Sequence, residues 1–136
     1  MKKNTKKELS LDDFNLIERL SNGMKRTYSL YKDVNLIGVT KTVVTIGVPS
    51  VNFLKCKKDD RCILLEKQGV WYLAILPFDS KIKGYKLNHP SSGGGILIFN
   101  CNANERGLSI GYYNLIEPIY VNGLDLFELE QFDINN

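Results

Sequence analysis

The apolar residues of this chain come in short runs cut by turn residues, and that spacing limits the folds open to it. Tyr28–Tyr31, Leu36–Val39, Val43–Val48, Cys62–Leu65, Val70–Leu76, Ile96–Asn100, Leu108–Tyr112 and Leu124–Phe132 are rich in β-branched and aromatic residues. Glycine, proline, asparagine or charged residues bound them, which is the pattern of strands. Gln68-Gly69 reads as a tight hairpin link between the fourth and fifth runs. No stretch reaches the roughly 18 continuous apolar residues of a membrane span, so no membrane partner is expected. At 136 residues, 43% hydrophobic and net charge +3, the chain is long and apolar enough for one ordered domain. The fold class expected is mainly β, a small barrel with one helix ahead of it.

That helix is read at residues 10–22. Ser10 is a suitable N-cap, Asp12 and Asp13 favour the positive end of the helix dipole, and Asn22-Gly23 ends the pattern. Leu11, Phe14, Ile17 and Leu20 form one apolar stripe. Residues 1–9, with Lys2, Lys3, Lys6 and Lys7, read as a flexible basic tail. Met1-Lys2-Lys3 leads into polar residues and not into a signal sequence, so a cytoplasmic protein is expected. A single domain over 10–136 is predicted, with β halves at 34–78 and 96–132 joined by a linker at 79–95. The predicted core is Ile46, Leu54, Ile63, Leu65, Trp71, Leu73, Ile98, Ile110, Ile119, Phe127 and Leu129.

Few residues suggest catalysis. Cys56 and Cys62 are six apart, too far for a zinc knuckle, and a single histidine, His89, cannot complete a usual site. Three cysteines (with Cys101) also argue against a secreted disulfide framework. Ser91-Ser92-Gly93-Gly94-Gly95 runs from a loop into a strand, whereas phosphate loops run from a strand into a helix. Glu105, Glu117, Glu128 and Glu130 have no partner of catalytic type nearby in sequence. No enzyme activity, cofactor or metal is expected.

Two segments align without gaps at an offset of 64 residues: Thr45–Val51 over Ser109–Leu115, and Leu65-Glu66 over Leu129-Glu130. Within the first copy, Val44-Thr45-Ile46, then Leu54, then Lys57-Lys58-Asp59-Asp60-Arg61-Cys62 and the turn at Gln68-Gly69 carry a family signature. The arrangement resembles the swapped-hairpin DNA-binding domains of AbrB and MraZ regulators, best over residues 39–76 with a poorer second copy at 96–132. The resemblance implies a small swapped-hairpin barrel with internal pseudo-duplication and a DNA-binding transcriptional regulator. The family's proline after Val-Thr-Ile is Gly47 here, the glycine of its Gly-Asp turn is Asp59, and its basic short helix is Ser50-Val51-Asn52-Phe53.

The charge is polarised along the chain. Residues 1–80 carry 14 Lys+Arg against 9 Asp+Glu, and residues 81–136 carry 4 against 6. Phosphate-backbone binding needs clustered cations. The candidates are Lys55, Lys57, Lys58 and Arg61, with Lys25, Arg26 and the tail lysines. The expected function is a non-catalytic binding module that holds DNA weakly through its backbone. The alternative is an accessory interaction protein, of phage or mobile-element type, docking on a larger protein assembly or on a second copy of itself. That alternative predicts an exposed apolar patch or edge strand.

Overall fold

The computed structural model of the chain describes residues 30–91 and 94–132. The basic tail, the helix predicted at 10–22, Lys25, Arg26 and the middle of the glycine-rich loop lie outside them. The compact unit Tyr31–Asn136 holds the whole barrel. Its elements in order are β1 (Ile37–Val39), β2 (Val43–Ile46), α1 (Val48–Leu54), β3 (Arg61–Lys67), β4 (Val70–Ile75), β5 (Tyr85–Lys86) and β6 (Leu97–Asn100). A 3-10 turn at Ala103–Arg106 then leads to β7 (Gly111–Leu115), β8 (Ile119–Val121) and β9 (Leu124–Phe132). The chain is mainly β, as its spacing predicts. The strand read at Tyr28–Tyr31 is a correction, because residues 30–33 form a helical turn.

All the strand pairings are antiparallel, in the order β5-β3-β4-β9-β7-β1-β2-β6, with β8 paired to β9 off that path. The two ends of this path meet. Just past β5, Asn88 exchanges both backbone hydrogen bonds with Ile98 of β6, at 2.9 and 2.8 Å. The chain between β5 and Asn88 stays on β3's side, where Leu87 N–H donates to the Asp60 carbonyl at 2.8 Å. The result is a nearly closed eight-strand barrel, which satisfies edges that an open sheet would leave bare.

Segment 79–95, read as a linker, thus supplies the closing strand. β5 has only two paired residues, and a two-residue strand carries no sequence period. Its loop is held by Arg61. The guanidinium donates to the carbonyls of Ile82 at 2.7 Å, Ser80 at 2.9 Å, Phe78 at 3.4 Å and Pro77 at 3.5 Å. A planar fork of five donors is suited to gathering several carbonyls at once.

Two hairpins use two-residue turns with positive φ at both positions, Gln68-Gly69 (53° and 84°) and Asn122-Gly123 (50° and 85°). This geometry matches strand twist and favours Asn-Gly or X-Gly. Helix α1 starts with Pro49 in its first turn and ends at Lys55 in the left-handed region. Its buried Ser50 donates to Asn35 and to the Leu36 carbonyl, while the Asn35 amide donates to the Leu115 carbonyl at 3.2 Å. One small polar group therefore ties α1, the start of β1 and the end of β7 together.

Of the predicted core, Ile46, Leu54, Leu73, Phe127 and Leu129 are buried and Trp71 packs against the cluster. Ile63, Leu65 and Ile98 are only half-buried. Instead Cys62 and Leu64 on β3, and Leu97 and Phe99 on β6, face the core. These runs are apolar on both faces, so alternation cannot choose the register, and a slip of one residue swaps the faces. Ile110 and Ile119 are half-exposed, the first just ahead of β7 and the second on a projecting hairpin.

The 64-residue repeat does not survive as a structural repeat. Its alignment lays Val48–Val51 of α1 over Tyr112–Leu115 of β7, and buried Ile46 over exposed Ile110. The strand order also differs: β1 pairs with β2 in the first half, whereas β6 pairs with β2 and not with β7. The two tetrads, Val48-Pro49-Ser50-Val51 and Tyr112-Tyr113-Asn114-Leu115, have no residue in common, and Pro49 suits the first turn of a helix where Tyr112 and Tyr113 suit a strand.

Arg61→Ala is expected to lower the unfolding free energy by about 2 kcal/mol, the scale of hydrogen bonds to a charged donor. Arg61→Lys should recover only part of the loss, because an ammonium lacks the fork. Urea titration checks both. An unchanged midpoint for Arg61→Ala would show that the loop needs no such tie.

Candidate functional site

The predicted basic cluster occupies the segment from the end of α1 to the start of β3. Lys55 is the exposed C-cap, and Lys57 and Lys58 are exposed in the following turn. The turn is internally paired. Lys57 Nζ lies 3.1 Å from Asp60 Oδ1, and its backbone N–H donates to Asp60 Oδ2 at 2.9 Å. Asp59 pairs with Lys86 of β5 at 3.2 Å. Arg61 faces the 77–82 carbonyls described above. Of the four, only Lys55 and Lys58 have ammonium groups without an ion pair among the described residues, so the sequence cluster is not a four-cation face.

A different feature stands out at the far end of β7. Leu115 faces Leu129, and Ile119 faces Leu126. Four steps on one strand match three on the other, so Glu117-Pro118 is a one-residue β-bulge. β7 and β8 are thus one bent strand, and with β9 they make a long hairpin whose distal part, residues 116–126, runs past the barrel as an arm. Pro118 sits where a ladder donor is not required.

The arm carries Ile119, Tyr120 and Val121, which are 51%, 76% and 42% exposed. β8 pairs only with β9 among the described residues, so its outer edge offers free N–H and C=O groups. Below the arm, a cleft of about 580 Å³ separates it from α1 and β4. Phe53, Lys55 and Ile75 form one wall, and Pro118, Leu124 and Asp125 the other. At its floor Phe53 meets Phe127 edge-on, with ring centroids 5.4 Å apart. The sequence held one signal for this arm: Asn122-Gly123 between apolar residues is the strongest short-range hairpin mark. The three-residue strand ahead of that turn, Ile119–Val121, is too short to show a period of its own.

The thiols lie on the inside of the barrel. Cys56, Cys62 and Cys101 are all buried and unpaired. Burial pushes the Cys56 thiol up to about 11, with the Asp60 carboxylate adding to it. Cys62 is raised further, first by burial and then by Cys56 and Cys101. The Tyr85 hydroxyl is raised by its hydrogen bond with Cys101 and by burial. These environments hold the groups neutral, the opposite of an activated nucleophile. A second cavity, about 160 Å³, opens beside Cys101 between Trp71, Tyr85 and Arg106. His89 is exposed. Among the described residues, no group of three or more His, Cys, Asp or Glu is placed to hold a metal ion, and no helix is long and apolar enough to cross a membrane.

Comparison with known proteins gives no family model, curated protein or solved structure that matches this chain.

The buried thiols set an alkaline limit. In the unfolded chain Cys56 ionises near its ordinary value of 9.0, and in the fold only near 11. Its contribution to stability is therefore complete below pH 9 and is lost as pH rises toward 11. The melting temperature is expected to fall through that window, with a shallower fall in Cys56→Ala. A thiol reagent at neutral pH should leave the three cysteines unmodified until denaturant is added. Rapid labelling of the native protein would contradict their burial.

Proposed function

We propose that the chain is a non-catalytic binding module that docks on another protein through the β8 arm. The observation that carries this reading is the exposed run Ile119-Tyr120-Val121 on a strand with one unpaired edge. Among the described residues β3 also has an unpaired edge beyond its two-residue contact with β5, but its apolar side chains there are half-buried, whereas those of β8 are exposed. A partner strand laid along β8 gains backbone hydrogen bonds from the edge and burial from the three side chains. The cleft beneath offers a pocket of ligand-binding size for a projecting side chain.

A second reading, a DNA-binding regulator of the swapped-hairpin type, is favoured by Lys55 and Lys58 standing exposed on one rim of the barrel. Two cations support only weak, sequence-independent contact, since each neutralised phosphate adds one step to the salt dependence.

A photoreactive phenylalanine analogue placed at position 120, and separately at position 58, tests the two readings in the cells from which the chain comes. Adducts with protein at 120 and none at 58 are expected. Titration of random duplex should give binding that disappears at moderate salt. Tight, salt-resistant DNA binding together with crosslinks from position 58 alone would reverse the order of the readings.

A further inference from the structure

The charges around the arm narrow the partner further, on the reading that β8 is a docking edge. From Gly107 to Phe132 the chain contains no lysine or arginine, while Glu117, Asp125, Glu128 and Glu130 are acidic. Two of these flank the open strand. Glu117 is exposed in the bulge that begins β8, and Asp125 is exposed directly across the ladder from Tyr120. Neither has an ion pair among the described residues. The edge therefore presents a short apolar strip with one unneutralised carboxylate, Glu117, at its start and a second, Asp125, one strand behind it on β9.

We infer that the occupant of β8 is an extended, basic segment of a partner protein, in which apolar residues alternate with lysine or arginine. Strand addition places alternate side chains on the two faces of the joined sheet. One set then lies beside Ile119 and Val121, and the other beside Tyr120 and Glu117, where a lysine or arginine is favoured and its long side chain can reach past Tyr120 toward Asp125. Opposite charges across neighbouring strands are stabilising and like charges are not. A second copy of this chain fits less well, because its own β8 arm, with no lysine or arginine from Gly107 to Phe132, has no cation to set against these carboxylates. Nucleic acid at this face is repelled by the same carboxylates.

The test uses the full chain, labelled with ¹⁵N, and three synthetic peptides: alternating valine and lysine, alternating valine and glutamate, and the valine–lysine peptide with alternate backbone amides N-methylated. Saturable shifts of the Ile119, Tyr120 and Val121 amides are expected with the first peptide. About tenfold weaker binding is expected for the glutamate peptide, since a few surface charge pairs together amount to roughly 1.4 kcal/mol. The N-methylated peptide should lose binding, because it cannot complete the ladder. Glu117→Lys combined with Asp125→Lys changes only exposed side chains and should turn the preference toward the glutamate peptide. Equal binding of both charge types, unaltered by the double change, would overturn the basic partner while leaving β8 as a docking edge. Shifts that fall at residues 55–61, or none with any peptide, would overturn the docking edge itself.

Discussion

The barrel depends on the seam between β3 and β6, and a single guanidinium organises the segment that fills it. Eight short strands form a closed wall only if something spans the gap between the two ends of the sheet. That task falls to residues 85–88, which pair with β3 on one side and reach Ile98 on the other. So short a piece has little strand-forming tendency of its own. Its position follows from the preceding loop, whose carbonyls at 77, 78, 80 and 82 converge on Arg61. Gly84 adds a steric condition, because a Cβ there would lie 2.7 Å from the Cys62 carbonyl. Closure at this seam places Cys62, Leu87 and Phe99 in a shared interior, where they are almost fully buried.

Closure leaves free strand edges in few places, and the arm is where such an edge coincides with exposed apolar side chains. Along the barrel most strands have a neighbour on each side, while among the described residues β3 beyond Cys62 and the arm each keep an unpaired edge. At Glu117-Pro118 the extra residue bends the β7–β8 strand, and β9 carries the hairpin beyond its contacts with β4 and β7. The arm is therefore tied to the barrel at its base and exposed at its tip. Its apolar strip and its carboxylates belong to the same few residues, so recognition by strand addition and selection by charge act at one place.

Much of this fold was legible in the sequence. β4, β6 and β9 fall within a residue or two of the runs that predict them, because each is a β-prone segment with a clear turn beside it. The Gln68-Gly69 hairpin was legible for the same reason. Registers were less so: Cys62-Ile63-Leu64-Leu65 and Leu97-Ile98-Phe99 are apolar throughout, and only the finished barrel decides which face turns inward. β5 and β8 escaped because two or three residues carry no periodicity, although Asn122-Gly123 marked the second. The basic cluster was visible as composition, but its pairing was not. Arg61 stands in the same charged run as Lys57 and Lys58, and nothing local reveals that its partners lie 16 to 21 residues away.

Amide hydrogen exchange at the seam tests the closed barrel most directly. The amides of Leu87, Asn88 and Ile98 each donate to a backbone carbonyl at 2.8 to 2.9 Å. If closure is as described, they exchange slowly, with protection close to that of the β3–β4 hairpin, because opening them requires opening the barrel. Exchange at the rate of an open loop for Leu87 and Asn88, while β3 and β4 stay protected, would contradict it and leave an open sheet in place of a barrel.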